Sequence, residues 1–139
     1  MKGQSSLELL VTLGIVVAFT IPVLFLLLSA TSIGYDDTAK AQADASARTL
    51  SDTMNSVYSQ GPGAKRAVLL NVPSSTEDIY AADGEVVVKI RTGSGIFEAV
   101  SPTIAEVSGT SEQLGKQTGL FMVVVENEQG KVTLRAEGE

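Results

Sequence analysis

From Leu9 to Leu28 the chain reads LLVTLGIVVAFTIPVLFLLL, twenty positions without a charged side chain. At about 1.5 Å of rise per residue, a helix of that length matches the roughly 30 Å hydrocarbon thickness of a bilayer. A helix that is apolar on every side must be covered on every side, and the rest of a 139-residue chain is too short to wrap it. Either a membrane or a bundle of like helices has to cover this segment. Lys2 and the N-terminal amine precede the run, whereas Asp36 and Asp37 follow it. The positive-inside bias therefore places the N-terminus in the cytoplasm and the bulk of the chain outside.

Composition narrows the chemistry open to the remainder. Cysteine and histidine are both absent, which removes disulfides, thiolate metal sites, cysteine nucleophiles and the commonest general base. The formal net charge is −6 and the ten basic residues are scattered. Nucleic-acid binding needs clustered cations to neutralise phosphates, so none is expected. Gly93-Ser94-Gly95 lacks the Lys-Ser/Thr of a phosphate-binding loop and reads as a β-turn. The acidic residues form no EF-hand pattern. No cofactor or metal is expected, and no catalytic constellation stands out.

Glu8 sits at the edge of the apolar run, where a carboxylate is costly unless it stays wet or is paired. No Lys or Arg recurs before Lys40, so a free N-terminal amine is the nearest candidate cation. Residues Lys2-Gly3-Gln4-Ser5-Ser6-Leu7-Glu8, followed by the apolar run, resemble the class III signal peptide of archaeal type IV pilins. The resemblance covers about the first 28 residues. It implies a leader, 1–3, removed by a prepilin peptidase between Gly3 and Gln4. The mature chain then begins at Gln4, and Glu8 becomes its fifth residue, where type IV pilins generally carry Glu. Thr12 stands where the family pattern Gln-x-Ser-x-Glu-x-x-x-Leu has Leu, with Leu13 next to it. In an assembled filament, the Gln4 amine of the same or a neighbouring subunit is expected to neutralise Glu8. If Gln4 cyclises, Glu8 needs another partner or a proton. Archaellins share the processing logic but usually lack the Gln-x-Ser-x-Glu start, which ranks pilin ahead.

The helical pattern continues past the membrane. Ala39, Ala43, Ala47, Leu50, Met54 and Val57 step by three or four and make one amphipathic stripe. Gly61-Pro62-Gly63 ends it. One helix over 4–60 is therefore expected, apolar over 9–28 and amphipathic over 31–60. Gly14 and Pro22 are its weak points, with a kink or local melt near Thr20–Pro22, and Gly34 is a third soft spot. Asp36 and Asp37 would lie in a first turn if a new helical segment started near Ser32. Gly14 and Ala18 form a small-x-x-x-small pair that permits close helix approach.

From 61 to 139 the pattern shifts to short β-rich runs. Arg66–Val72, Ile79–Tyr80, Glu85–Thr92, Ile96–Val100, Ile104–Val107, Leu120–Glu126 and Lys131–Arg135 are the candidate strands. Asp83-Gly84 is a favoured hairpin turn, and Leu120–Glu126 is the most apolar strand and the expected centre. One sheet of about four to six strands, laid over the amphipathic stripe, completes an α+β, type IV pilin-like fold: a long N-terminal helix with a small antiparallel β-rich head. The Ser108–Gly119 loop is expected to be exposed.

Three functions remain open. The first is a structural pilin subunit that polymerises through its apolar helix into an extracellular filament supporting surface adhesion. Its partners would be copies of itself, the prepilin peptidase, the pilus assembly machinery and, before assembly, the cytoplasmic membrane. The second is a single-pass anchored protein whose extracellular head binds a partner without polymerising. The third is an enzyme, for which no constellation of site residues stands out; a separate rival for the N-terminal segment is an ordinary secretory signal peptide, with cleavage near Leu28-Ser29-Ala30. Against it, the apolar region is longer than a signal peptide's and Glu8 stands where such peptides carry basic residues.

Overall fold

The computed structural model describes residues 2–109 and 112–137. One helix, α1, runs without interruption over Lys2–Gln60, 59 residues. Seven strands follow: β1 Lys65–Val72, β2 Thr76–Ala82, β3 Glu85–Thr92, β4 Gly95–Pro102, β5 Glu112–Gln113, β6 Gly119–Glu128 and β7 Lys131–Ala136. The fold is α+β, a long N-terminal helix followed by an antiparallel β head. Contacts divide the chain into two units, one up to Tyr35 and the other from Asp36 onward.

Helix α1 passes through Gly14, Pro22 and Gly34 without melting, which corrects the local melt considered at Thr20–Pro22. Proline deletes one backbone donor and crowds the preceding turn, yet the flanking turns of this helix stay formed. Nor does a second helical segment start near Ser32, so Asp36 and Asp37 lie inside α1 rather than in a first turn. The helix stops where its chemistry changes. Gly61 and Gly63 adopt positive φ, +91° and +90°, and Gly61 N–H turns back to Tyr58 O at 3.2 Å. Glycine reaches that region without a Cβ penalty.

The strands form two antiparallel sheets, of order β1-β6-β7 and β4-β3-β2-β5, where the sequence pattern suggests one. Strand β6 is the centre of the first, as its run of valines requires. Asp83 and Gly84, with φ of +53° and +77°, make the β2–β3 turn, the geometry that matches the twist of a two-residue hairpin. Strand β2 is longer than Ile79–Tyr80, because a bulge between Thr76 and Asp78 carries the pairing back to Thr76. Ile104–Val107 is not a strand; it contributes only an isolated parallel bridge, Val107 to Val132. The Ser108–Gly119 segment is more structured than an exposed loop: β5 pairs with β2 and Leu114 is buried.

A single core in the second unit joins the helix stripe to the inward residues of both sheets. Ala43, Ala47, Leu50, Met54 and Val57 on α1 are closed from solvent, and Ala39 is half-buried against them. Each fully buried Leu, Met or Val contributes about 1.5–3 kcal/mol of transfer free energy. Four polar ties fix this stripe to the strands. Ser46 Oγ donates to Asn71 O at 2.8 Å, and Ser51 Oγ donates to Pro102 O. Asn55 Oδ1 accepts from Thr103 Oγ1 at 2.6 Å and from Ile104 N–H at 2.9 Å. Asn127 Nδ2 donates to Val57 O at 3.3 Å and Tyr58 O at 3.4 Å.

Candidate assembly segment

The first unit consists of helix alone. Every large apolar side chain from Leu7 to Leu28 is exposed, between 45% for Val17 and 73% for Phe19. The segment is long and apolar enough to cross a membrane, with a mean hydropathy of 2.7 over its best 18 residues, none of them buried. Its threonine hydroxyls are satisfied within the helix. Thr12 Oγ1 donates to Glu8 O at 2.8 Å, Thr20 Oγ1 to Val16 O at 2.7 Å and Thr31 Oγ1 to Leu27 O at 2.8 Å. Backbone groups in hydrocarbon must be paired internally, and these threonines bring their hydroxyls into the same self-contained scheme.

Gly3, Gln4 and Glu8 lie on this helix and are exposed. Of the expected leader, Lys2 also lies on the helix and Met1 lies outside the described residues. A Cβ at Gly3, Gly14 or Gly34 would meet no atom within 4 Å, so no contact inside the chain demands glycine there. Pro22 is likewise exposed within the helix. The ion pairs among the described residues are Lys89–Glu98 at 3.2 Å and Arg91–Glu77 at 2.7 Å; Glu8 takes part in neither. The chain thus brings its candidate cleavage and assembly residues onto one helical end without giving them a tertiary setting of their own.

The head presents no concentrated chemistry. Among the described residues, no group of three or more acidic side chains is arranged to hold a metal ion. The ion pairs lie on the outer face of β2, β3 and β4. Lys89 Nζ also lies 5.5 Å from the centroid of the Tyr80 ring. The hydrogen bond to Glu98, then the charges of Tyr80 and Glu98, hold the Lys89 ammonium above the ordinary lysine pKa. At the start of the second unit, Asp36 Oδ2 accepts Gly93 N–H at 3.1 Å, and Lys40 Nζ sits 5.6 Å from the Phe97 ring centroid. These contacts hold the β3–β4 turn against α1.

Sequence reasoning missed Asp36, Ser46, Ser51, Asn55 and Asn127 as tie points. A signal for one of them was present: Asn127 follows Val123 and Val125 in period two, which puts an amide on the buried face of β6.

Comparison with protein-family models, with curated proteins and with solved structures finds no match. The fold is a single long, apolar N-terminal helix carrying a small antiparallel β head, a pilin-like architecture whose helix is long and apolar enough to cross a membrane.

Proposed function

We propose that the chain is the structural subunit of an extracellular, type IV pilus-like filament. One observation carries the reading: a single unbroken helix is exposed and apolar over Leu9–Leu28, yet its stripe over Ala43–Val57 is closed into the core of a head. The distal half has its cover within the chain, whereas the proximal half needs cover from outside it. A membrane covers it before assembly, and like helices cover it in the filament. The Gly3-Gln4 junction and Glu8 support prepilin-type processing by a prepilin peptidase, followed by polymerisation through the pilus assembly machinery. The role is structural rather than catalytic, it involves no nucleic acid, and surface adhesion is a property of the polymer.

The test is N-terminal sequencing of protein sheared from the cell surface, with electron microscopy of the same material. Filaments whose subunits start at Gln4 are expected. Protein confined to membranes and starting at Met1 overturns polymerisation in favour of an anchored binding head. A start near Thr31 overturns the retained helix altogether.

A further inference from the structure

The two sheets end in strands β1, β7, β4 and β5. One of these edges is covered and another is very short. On β7, Val132 N–H donates to Glu106 O at 2.7 Å and Ser108 N–H to Val132 O at 3.1 Å. Strand β5 is two residues long. Strands β1 and β4 run eight residues each, and hydrogen bonds just beyond their ends fix which peptides face outward. Ala64 O accepts Asn127 N–H at 2.8 Å, so Ala64 faces β6. By the alternation of an antiparallel ladder, Lys65, Ala67, Leu69 and Asn71 face away from it. Thr103 N–H donates to Gly84 O at 2.9 Å. Ile96, Glu98, Val100 and Pro102 therefore face away from β3.

The two edges match. Helix α1 ties the last outward carbonyl of each, Asn71 through Ser46 and Pro102 through Ser51. Three outward residues remain on each edge, Lys65, Ala67 and Leu69 on β1 and Ile96, Glu98 and Val100 on β4. Their outward peptide groups have no partner among the described residues, and their side chains are exposed. Leu69 is 54% exposed and Ile96 51%. The edges also carry opposite charge, Lys65 and Arg66 on β1 against Glu98 on β4, whose carboxylate is shared with Lys89 of its own sheet. Open strand edges invite strand addition.

We propose that β1 of one copy pairs antiparallel with β4 of the next, so that the heads join by a continuous intermolecular sheet. Leu69 then lies opposite Ile96, Ala67 opposite Glu98 and Lys65 opposite Val100. All three open residues of each edge are paired, and Lys65 stands diagonal to Glu98, within reach for a long side chain. Pairing β4 with β4 in the same manner sets Glu98 against Glu98, and pairing β1 with β1 brings two basic edges together. The β1–β4 contact is heterologous, so it gives an open helical array wherever the rotation between successive copies does not close a ring. It rests on the filament reading for the alignment of successive copies.

The chain has no cysteine, so engineered thiols report without background. In an antiparallel hydrogen-bonded pair the Cα atoms lie about 5.5 Å apart, inside the roughly 4.4–6.8 Å range of a disulfide. The full chain carrying L69C and I96C together is expressed, sheared from cells, mildly oxidised and run on a non-reducing gel. A ladder of covalent oligomers that reductant collapses is expected, with each single-cysteine variant running as monomer. Filaments of the double variant that run as monomers overturn the edge pairing and leave the filament reading standing. Covalent dimers from L69C alone also overturn it, because they place β1 against β1. Absence of filaments from the unaltered chain overturns the filament reading and this contact with it.

Discussion

Asn127 holds the end of the helix, and its removal has a calculable consequence. Gly61 N–H, which would close the regular helical bond to Val57 O, turns instead to Tyr58 O. The Val57 carbonyl is left to the Asn127 amide at 3.3 Å. The other end of the same amide accepts Gly130 N–H at 2.9 Å and so fixes the β6–β7 turn, and the side chain is 2% exposed. In Asn127→Ala, Tyr58 O keeps Gly61, whereas Val57 O and Gly130 N–H both lose their partner. An unsatisfied buried polar group costs about 1–3 kcal/mol. The bond to Val57 is long and Gly130 is only half-buried, so both belong at the low end and a loss of about 1–2 kcal/mol is expected for the pair. Asn127→Asp is sharper. It keeps an acceptor for Gly130 but aims a carboxylate oxygen at two carbonyls, which favours the protonated acid in the folded state. A folded pKa raised above the ordinary aspartate value of about 3.9 gives stability that is fully present below that value and lost as pH rises through the raised one. The deficit relative to the unaltered chain should therefore grow from pH 4 to pH 7. Urea unfolding of the full chain in detergent, followed by circular dichroism of the β head, measures both variants. An Asn127→Ala deficit below about 0.5 kcal/mol, the size of an ordinary surface substitution, or an Asn127→Asp deficit that shrinks as pH rises, refutes the capping role.

The other expectations are simpler. Glu8→Ala and Gly3→Ala should each abolish surface filaments, the first by removing the carboxylate that meets a cation in the polymer and the second by blocking the leader cut; normal filaments by electron microscopy would count against both. Leu50→Ala should cost about 2–5 kcal/mol because Leu50 is fully closed from solvent between helix and sheets, as urea unfolding would read. Gly93→Ala places a Cβ 3.1 Å from Asp36 Oδ2 and should loosen the β3–β4 turn, seen as faster amide exchange in the turn without loss of the core.

The long helix was legible because its signals are local: an uncharged run, an apolar stripe at helical spacing and a glycine-proline stop. Residues Ala43 to Val57 fall on the buried face as that stripe requires. The β2–β3 hairpin was legible for the same reason, since Asp83-Gly84 specifies its own turn. Division into two sheets was not, because it depends on β1 finding β6, with Lys65 opposite Glu126 and Val72 opposite Gly119, and no local pattern encodes a partner that far along the chain. Leu114 was overlooked inside a polar loop, where a lone apolar residue carries no period. At the N-terminus the motif Gly3-Gln4 with Glu8 was visible, but its meaning lies in contacts with other molecules, which the fold of a single chain does not contain.

Within one helix, polar side chains are used in two ways: back-bonding onto the helix occurs in both halves, Thr49 and Thr53 included, whereas among the described residues bonds to the β head come from the second half. In the apolar half, Thr12, Thr20 and Thr31 turn their hydroxyls onto carbonyls one turn back. They ask nothing of neighbouring molecules and leave an apolar surface that lipid or another helix can cover equally well. In the second half, Ser46, Ser51 and Asn55 turn away from their own helix and bind backbone of the β head, at Asn71 and Pro102 in strands and at Ile104 just past β4. Each such bond has direction, so it sets where the strands sit along the stripe, which the non-directional burial of Leu50 and Met54 does not. On the filament reading proposed above, a segment that passes from membrane to polymer is served by contacts without a fixed register. A head that must arrive folded is served by contacts with one. Asp36, bound to Gly93, is the first residue of the second kind, at the point where the second unit begins.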